Sequence, residues 1–120
     1  MSVQIVETMD PKFLEVHLTG KLVKEDYSHF VPAVESRLKS NGKIRMLVEM
    51  HDFHGWTGSA LWEDVKFDVK HFNDIERIAM VGESKWQHGM AVFCKPFTSA
   101  KLQYFDHAHM DAARRWLEMD

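Results

Sequence analysis

The chain has 120 residues, 45% of them hydrophobic and 28% charged, with a formal net charge of −3. That is the size and balance of one soluble core-forming domain over residues 1–120, and it leaves no bulk electrostatic drive toward nucleic acid. The lone Cys94 allows no internal disulfide, no apolar run approaches the ~20 residues that span a bilayer, and Met1-Ser2-Val3-Gln4 lacks the regions of a signal peptide, so a reducing cytoplasm is the expected location.

Val3 to Glu7 alternates apolar and polar residues, as a half-buried strand does. After the Asp10-Pro11 turn, Phe13 to Thr19 alternates again, with Leu14, Val16 and Leu18 on one face and Phe13, Glu15 and His17 on the other. The two segments predict an antiparallel hairpin, and Gly20 ends its second strand. Lys24 to Lys39 switches to helical spacing through Tyr27, Phe30, Val31, Val34 and Leu38, with Pro32 predicting a kink and Asn41-Gly42 a stop.

Ile44 to Met50 is nearly continuous in apolar residues, the pattern of a buried parallel strand. A loop from His51 to Gly58 then leads into a second helix, Ser59 to Phe72, whose apolar side is read as Leu61, Trp62, Val65, Val69 and Phe72. Ile75 to Gly82 predicts another buried strand. Trp86 to Phe93 predicts a third helix closed by Pro96, Lys101 to Phe105 a last strand, and Asp106 to Leu117 a fourth helix. The order β β α β α β α β α predicts an α/β fold: a mainly parallel five-stranded sheet with an antiparallel edge strand and four helices.

This order resembles the SpoIIAA-like family of the STAS fold group across essentially the whole chain. The resemblance is carried by Tyr27 to Leu38 with its internal Pro32, by Arg45 to Glu49, by Trp56 to Asp68, and by Phe105-Asp106 followed by Ala112-Ala113 and Trp116-Leu117. None of these is a catalytic signature. The group is mostly non-enzymatic; its best-understood members are bacterial anti-anti-sigma factors switched by phosphorylation of a serine where the strand-to-helix loop meets its helix. The SpoIIAA-like branch is also similar in architecture to CRAL-TRIO lipid-binding domains, which implies binding of an apolar ligand or a membrane surface.

The regulatory pattern ends its strand in an acid and opens its helix with Asp-Ser eight residues later. Here Glu49 stands for the strand acid, but the pair falls on Thr57-Gly58, followed by Ser59. Thr57 and Ser59 are the hydroxyls left as phosphoacceptors, and Ser59 is equally a good helix N-cap.

Four tryptophans and eight phenylalanines exceed what so small a core obviously needs. Trp62 falls on the predicted apolar side of the second helix, Phe67 roughly opposite Val65 and Val69, Trp56 in the loop and Trp86 at the start of the third helix. In a parallel sheet Trp56, Trp62 and Trp86 converge on one rim. Trp56, Trp62, Phe67, Trp86 and Phe93, with His54 as a polar wall, would then line a groove for an apolar or amphipathic molecule, with reversible membrane contact as a corollary. The plain alternative is that these rings are core; Trp56 and Phe67 are the two expected instead to be exposed or to meet a ligand.

Eight histidines do not make a metal site by spacing: His51 and His54, His88, and His107 and His109 lack a recognisable ligand pattern. Ser59 lacks a nucleophile elbow, and Gly55, Gly58, Gly82 and Gly89 form no phosphate loop or dinucleotide fingerprint. The expectation is therefore a domain with no catalytic set, metal or cofactor. Its expected partner is an apolar or amphipathic small molecule, or alternatively a protein partner in a phosphorylation-regulated switch, and an exposed apolar rim would equally suit a homodimer contact.

Overall fold

The computed structural model describes residues 3–7, 12–71, 73–82 and 101–119. Five strands form one sheet in the order β1 (Val3–Glu7), β2 (Phe13–Leu22), β3 (Ile44–Trp56), β4 (Ile75–Gly82) and β5 (Lys101–Asp106). Only the β1–β2 pair is antiparallel; the other three pairs are parallel. This is the predicted mixed sheet with its antiparallel strand at the edge.

Three α-helices lie within the described residues: α1 (Lys24–Asn41), α2 (Gly58–Lys70) and α3 (Met110–Glu118), the last entered through a 3-10 turn at His107–His109. The predicted helix Trp86 to Phe93 lies outside the described residues. Helix α1 runs on through Pro32 and ends at Gly42, whose φ of 78° turns the chain while its N–H bonds back to Leu38 O at 2.8 Å.

The alternation along the strands sorts the two faces. Leu14, Val16 and Leu18 of β2 join Ile44, Met46, Val48 and Met50 of β3 beneath α1 and α2, forming the larger core with Tyr27, Val34, Ala60 and Phe67. On the opposite face Leu47, Ala79 and Val81 pack against Ala113 and Leu117 of α3. Burying both faces explains why β3 and β4 read as near-continuous apolar runs.

Two elements run further than their patterns predict. Strand β2 does not end at Gly20; that residue takes φ 62°, the ladder slips by a bulge, and pairing resumes at Lys21–Gly55 and Leu22–Trp56. Most of the predicted loop from His51 is consequently strand, accommodated by φ 49° at Asp52 and 105° at Gly55. Glycines at 20 and 55 allow the left-handed backbone that the bulged arm needs.

Candidate functional site

At the end of this arm Thr57 N–H bonds to Leu22 O at 2.9 Å, and the Thr57 hydroxyl accepts from Ala60 N–H at 3.2 Å. Thr57, and not Ser59, is thus the N-cap of α2, because the helix begins at Gly58. Ser59 sits exposed in the first turn, its Oγ 3.4 Å from Thr57 Oγ1.

Helix α2 docks with the opposite face from the one its apolar residues suggest. Phe67, expected at the surface, is buried to 5% exposure between Phe30 and His71, with ring centroids at 5.3 and 4.8 Å. Ala60 and His71 share its side of the helix and are buried with it. Trp62 and Val69, assigned to the apolar side, are 62% and 57% exposed. The physical reason is fit. Ala60 lets the helix approach closely, Phe67 packs into α1, and the ring nitrogens of the polar His71 meet carboxylates, Nδ1 at 2.8 Å from Asp74 and Nε2 at 3.1 Å from Glu35.

The outward face therefore carries Trp62 and Val69, seven residues apart, with Lys66 and Lys70 beside them. Those lysines reach back to Glu63 at 3.1 Å and Glu35 at 2.7 Å. Hydrogen bonds from Lys70, then from His71, hold the Glu35 carboxyl below its usual range. Of the other groove candidates, His54 is exposed on the bulged arm. The side chain of Trp56, and all of Trp86 and Phe93, lie outside the described part, so the predicted rim of three tryptophans has only Trp62 within it.

A second constellation lies on the other face of the sheet. A cleft of about 270 Å³ separates β2 from α3, bounded by Phe13, Glu15 and Leu47 and by Arg114, Leu117 and Glu118. Arg114 Nη1 donates to Glu15 Oε1 at 2.7 Å, and His17 Nε2 meets Glu15 Oε2 at 2.6 Å. Burial pushes the Glu15 carboxyl up, but the hydrogen bonds and charges of Arg114 and His17 outweigh it and hold it below its usual range.

Glu49, the register partner of His17, stands between two imidazoles: Oε1 is 3.7 Å from His17 Nδ1 and Oε2 is 3.7 Å from His107 Nε2. The His51 ring lies 5.9 Å from that of His107. His107 Nε2 is buried and has no hydrogen-bond partner. Two of the histidines weighed as metal ligands do meet, yet among the described residues no three donors are grouped to hold a metal ion.

No motif in the sequence singles out this row, although Glu15 and His17 stand on the non-core face of β2. Polar residues on a strand flanked by strands on both sides were the signal.

The C-terminal end of α3 is held by two buried arginines on neighbouring strands. Arg45 donates to the carbonyls of Leu117 and Met119 and to Glu76, while Arg77 donates to Trp116 O at 3.0 Å and lies 4.9 Å from the Trp116 ring centroid. Their charge meets the negative end of the helix dipole.

No described helix is long and apolar enough to cross a membrane. No curated protein matches the chain. The chain is similar to a crystal structure from Shewanella loihica PV-4, an uncharacterized protein of the DUF3478 family with a SpoIIAA-like fold, at 27% identity and a TM-score of 0.79; the match covers 96% of this chain and 91% of that one. The SpoIIAA-like family model matches residues 13–118, the span that holds four of the five strands, all three described helices and both constellations. The chain belongs to the SpoIIAA-like family.

Proposed function

We propose that this domain is a non-enzymatic binding module for apolar or amphipathic molecules that associates reversibly with a lipid surface through α2. The observation that carries the reading is the outward stripe of Trp62 and Val69, 62% and 57% exposed, on a helix whose other side is docked. An exposed indole with an aliphatic neighbour and lysines alongside suits a lipid interface: the ring enters the headgroup boundary and the ammonium groups remain in water. At roughly 25 cal/mol per Å², burying most of one indole and a valine is worth on the order of 5 kcal/mol before the cost of association, which makes for weak and reversible binding.

Co-sedimentation with vesicles of mixed phosphatidylcholine and phosphatidylglycerol tests this. The intact protein is expected in the lipid pellet, and Trp62→Ala in the supernatant. An intact protein that ignores vesicles of every composition would overturn the proposal.

The switch reading keeps one observation in its favour. Ser59 is exposed in the first turn of α2 with the capping duty taken by Thr57, so a phosphoryl group there would meet the helix N-terminus without uncapping it. Intact-mass measurement of the protein from its native cell decides: an adduct mapped to Ser59 supports the switch, and an unmodified chain under all growth conditions removes it.

A further inference from the structure

We propose that the cleft between β2 and α3 is a binding site for a small organic cation, an amine carried on an aromatic or aliphatic body. This site would hold the small-molecule ligand of the function proposed above and rests on that part of the reading. Lipid association belongs to α2, on the other face of the sheet, and is independent of it.

The cleft follows from how little of the sheet α3 can roof. Neighbouring strands lie about 4.8 Å apart, and a helix with its side chains is roughly 10 Å across. Helix α3 sets Ala113 and Leu117 against Leu47 of β3 and Ala79 and Val81 of β4. Strand β2 therefore lies at the edge of its cover, and Arg114 spans the remaining gap to Glu15. What is left is the space of about 270 Å³. An apolar cavity of ~150 Å³ holds a benzene ring, so this one has room for a ring and a short chain. Leu47 and Leu117 are buried and Phe13 is half-buried beside them, which gives the organic body an apolar floor.

The charged groups that line the space decide the sign of the ligand. Among the described lining residues Glu15 and Glu118 are negative and only Arg114 is positive. Glu118 stands exposed. The Glu15 carboxyl, held below its usual range, is ionised at neutral pH. An ionised carboxylate has about four acceptor positions. Arg114 occupies one on Oε1 and His17 meets Oε2, so Glu15 keeps capacity for a further donor.

The neighbouring cations are engaged elsewhere. Lys12 and Arg45 meet Glu76, Arg37 donates to the Phe13 carbonyl, and Arg45 and Arg77 donate to carbonyls at the end of α3. An ammonium group entering the cleft thus meets two carboxylates and displaces no existing bond. A carboxylate ligand would have to take Arg114 from Glu15 and stand beside two like charges.

Backbone amide shifts of the intact protein at pH 7, titrated with phenethylamine and separately with 3-phenylpropionate, test the site. The two probes share a ring and a short chain and carry opposite charges. Phenethylamine is expected to move the amides of residues 13–15, 47 and 114–118 saturably, with a Kd on the order of 1 mM for so small a ligand, and 3-phenylpropionate to bind about ten-fold more weakly. Glu15→Gln should weaken the amine about ten-fold, the scale of one charged hydrogen bond, and Glu118→Gln about two-fold. Trp62→Ala should bind it as the parent does, so that a loss here and a loss of lipid association are told apart. Amides that neither probe moves overturn the proposal, as does equal binding of the two probes, or amine binding undiminished in the double variant Glu15→Gln/Glu118→Gln. The comparison of probes uses the intact protein and holds whether or not a variant folds.

Discussion

Single side chains decide where the helices sit. Phe67 is buried against Phe30 and His71, so Phe67→Ala should leave a cavity that the rigid neighbours cannot fill, at a cost of about 3–5 kcal/mol in urea unfolding. The α2 cap makes a finer distinction. Thr57→Ala removes the acceptor for Ala60 N–H and should cost about 1 kcal/mol, whereas Ser59→Ala should stay within ~0.5 kcal/mol. The reverse order would return the capping role to Ser59. Arg45→Met strands the carbonyls of Leu117 and Met119 and leaves Glu76 to Lys12, and should destabilise by about 2 kcal/mol.

At the scale of the element, α2 shows how far an apolar stripe can mislead. Trp62, Val65 and Val69 are more hydrophobic than Ala60, Phe67 and His71, yet the second set is the one inside. Helix burial follows shape and hydrogen-bond satisfaction as well as hydrophobicity: a small residue permits close approach, and carboxylates on α1 and in the turn before β4 hold the buried imidazole. The double variant Trp62→Ser/Val69→Ser should therefore unfold within about 1 kcal/mol of the parent, since both positions are already largely in water, while losing the lipid association proposed for this stripe. A large loss of stability would show that this stripe is core. Helix α3 is the opposite case. Only nine residues long, it depends on Ala113 and Leu117 and on the arginines at its end more than on its own propensity.

Across the whole molecule, charge pairs tie elements that the core joins only partly. Glu15 links β2 to α3, Glu35 links α1 to the end of α2, and Glu76 links β4 to β3 and Lys12. For Glu76, partial burial pushes the carboxyl up, and Arg45 and Lys12 more than offset it. All three carboxyls are held below their ordinary value of 4.5. The unfolded chain therefore binds more protons than the native one in acid. The stability these pairs contribute is complete above that value and is lost as pH falls through the lower native values. Urea midpoints should fall from about pH 5 to 3, chiefly through the partly buried Glu15, and Glu15→Gln should flatten part of that slope.

Read without coordinates, the chain determined its elements and their order. The alternation from Val3 to Thr19 specifies a hairpin, the apolar runs at 44–50 and 75–82 specify strands covered on both faces, and the spacing of Tyr27, Phe30, Val34 and Leu38 specifies α1. These are local periodicities, and local periodicity is written residue by residue. Only the tertiary structure decided that β2 and β3 continue past Gly20 and Met50, because a bulge is fixed by the partner strand. It alone turned α2 so that Phe67 faces inward and Trp62 outward, because that choice belongs to α1. It alone brought Arg114 to Glu15 across 99 positions of sequence and set His107 against Glu49, because contacts of that range depend on sheet register and helix docking.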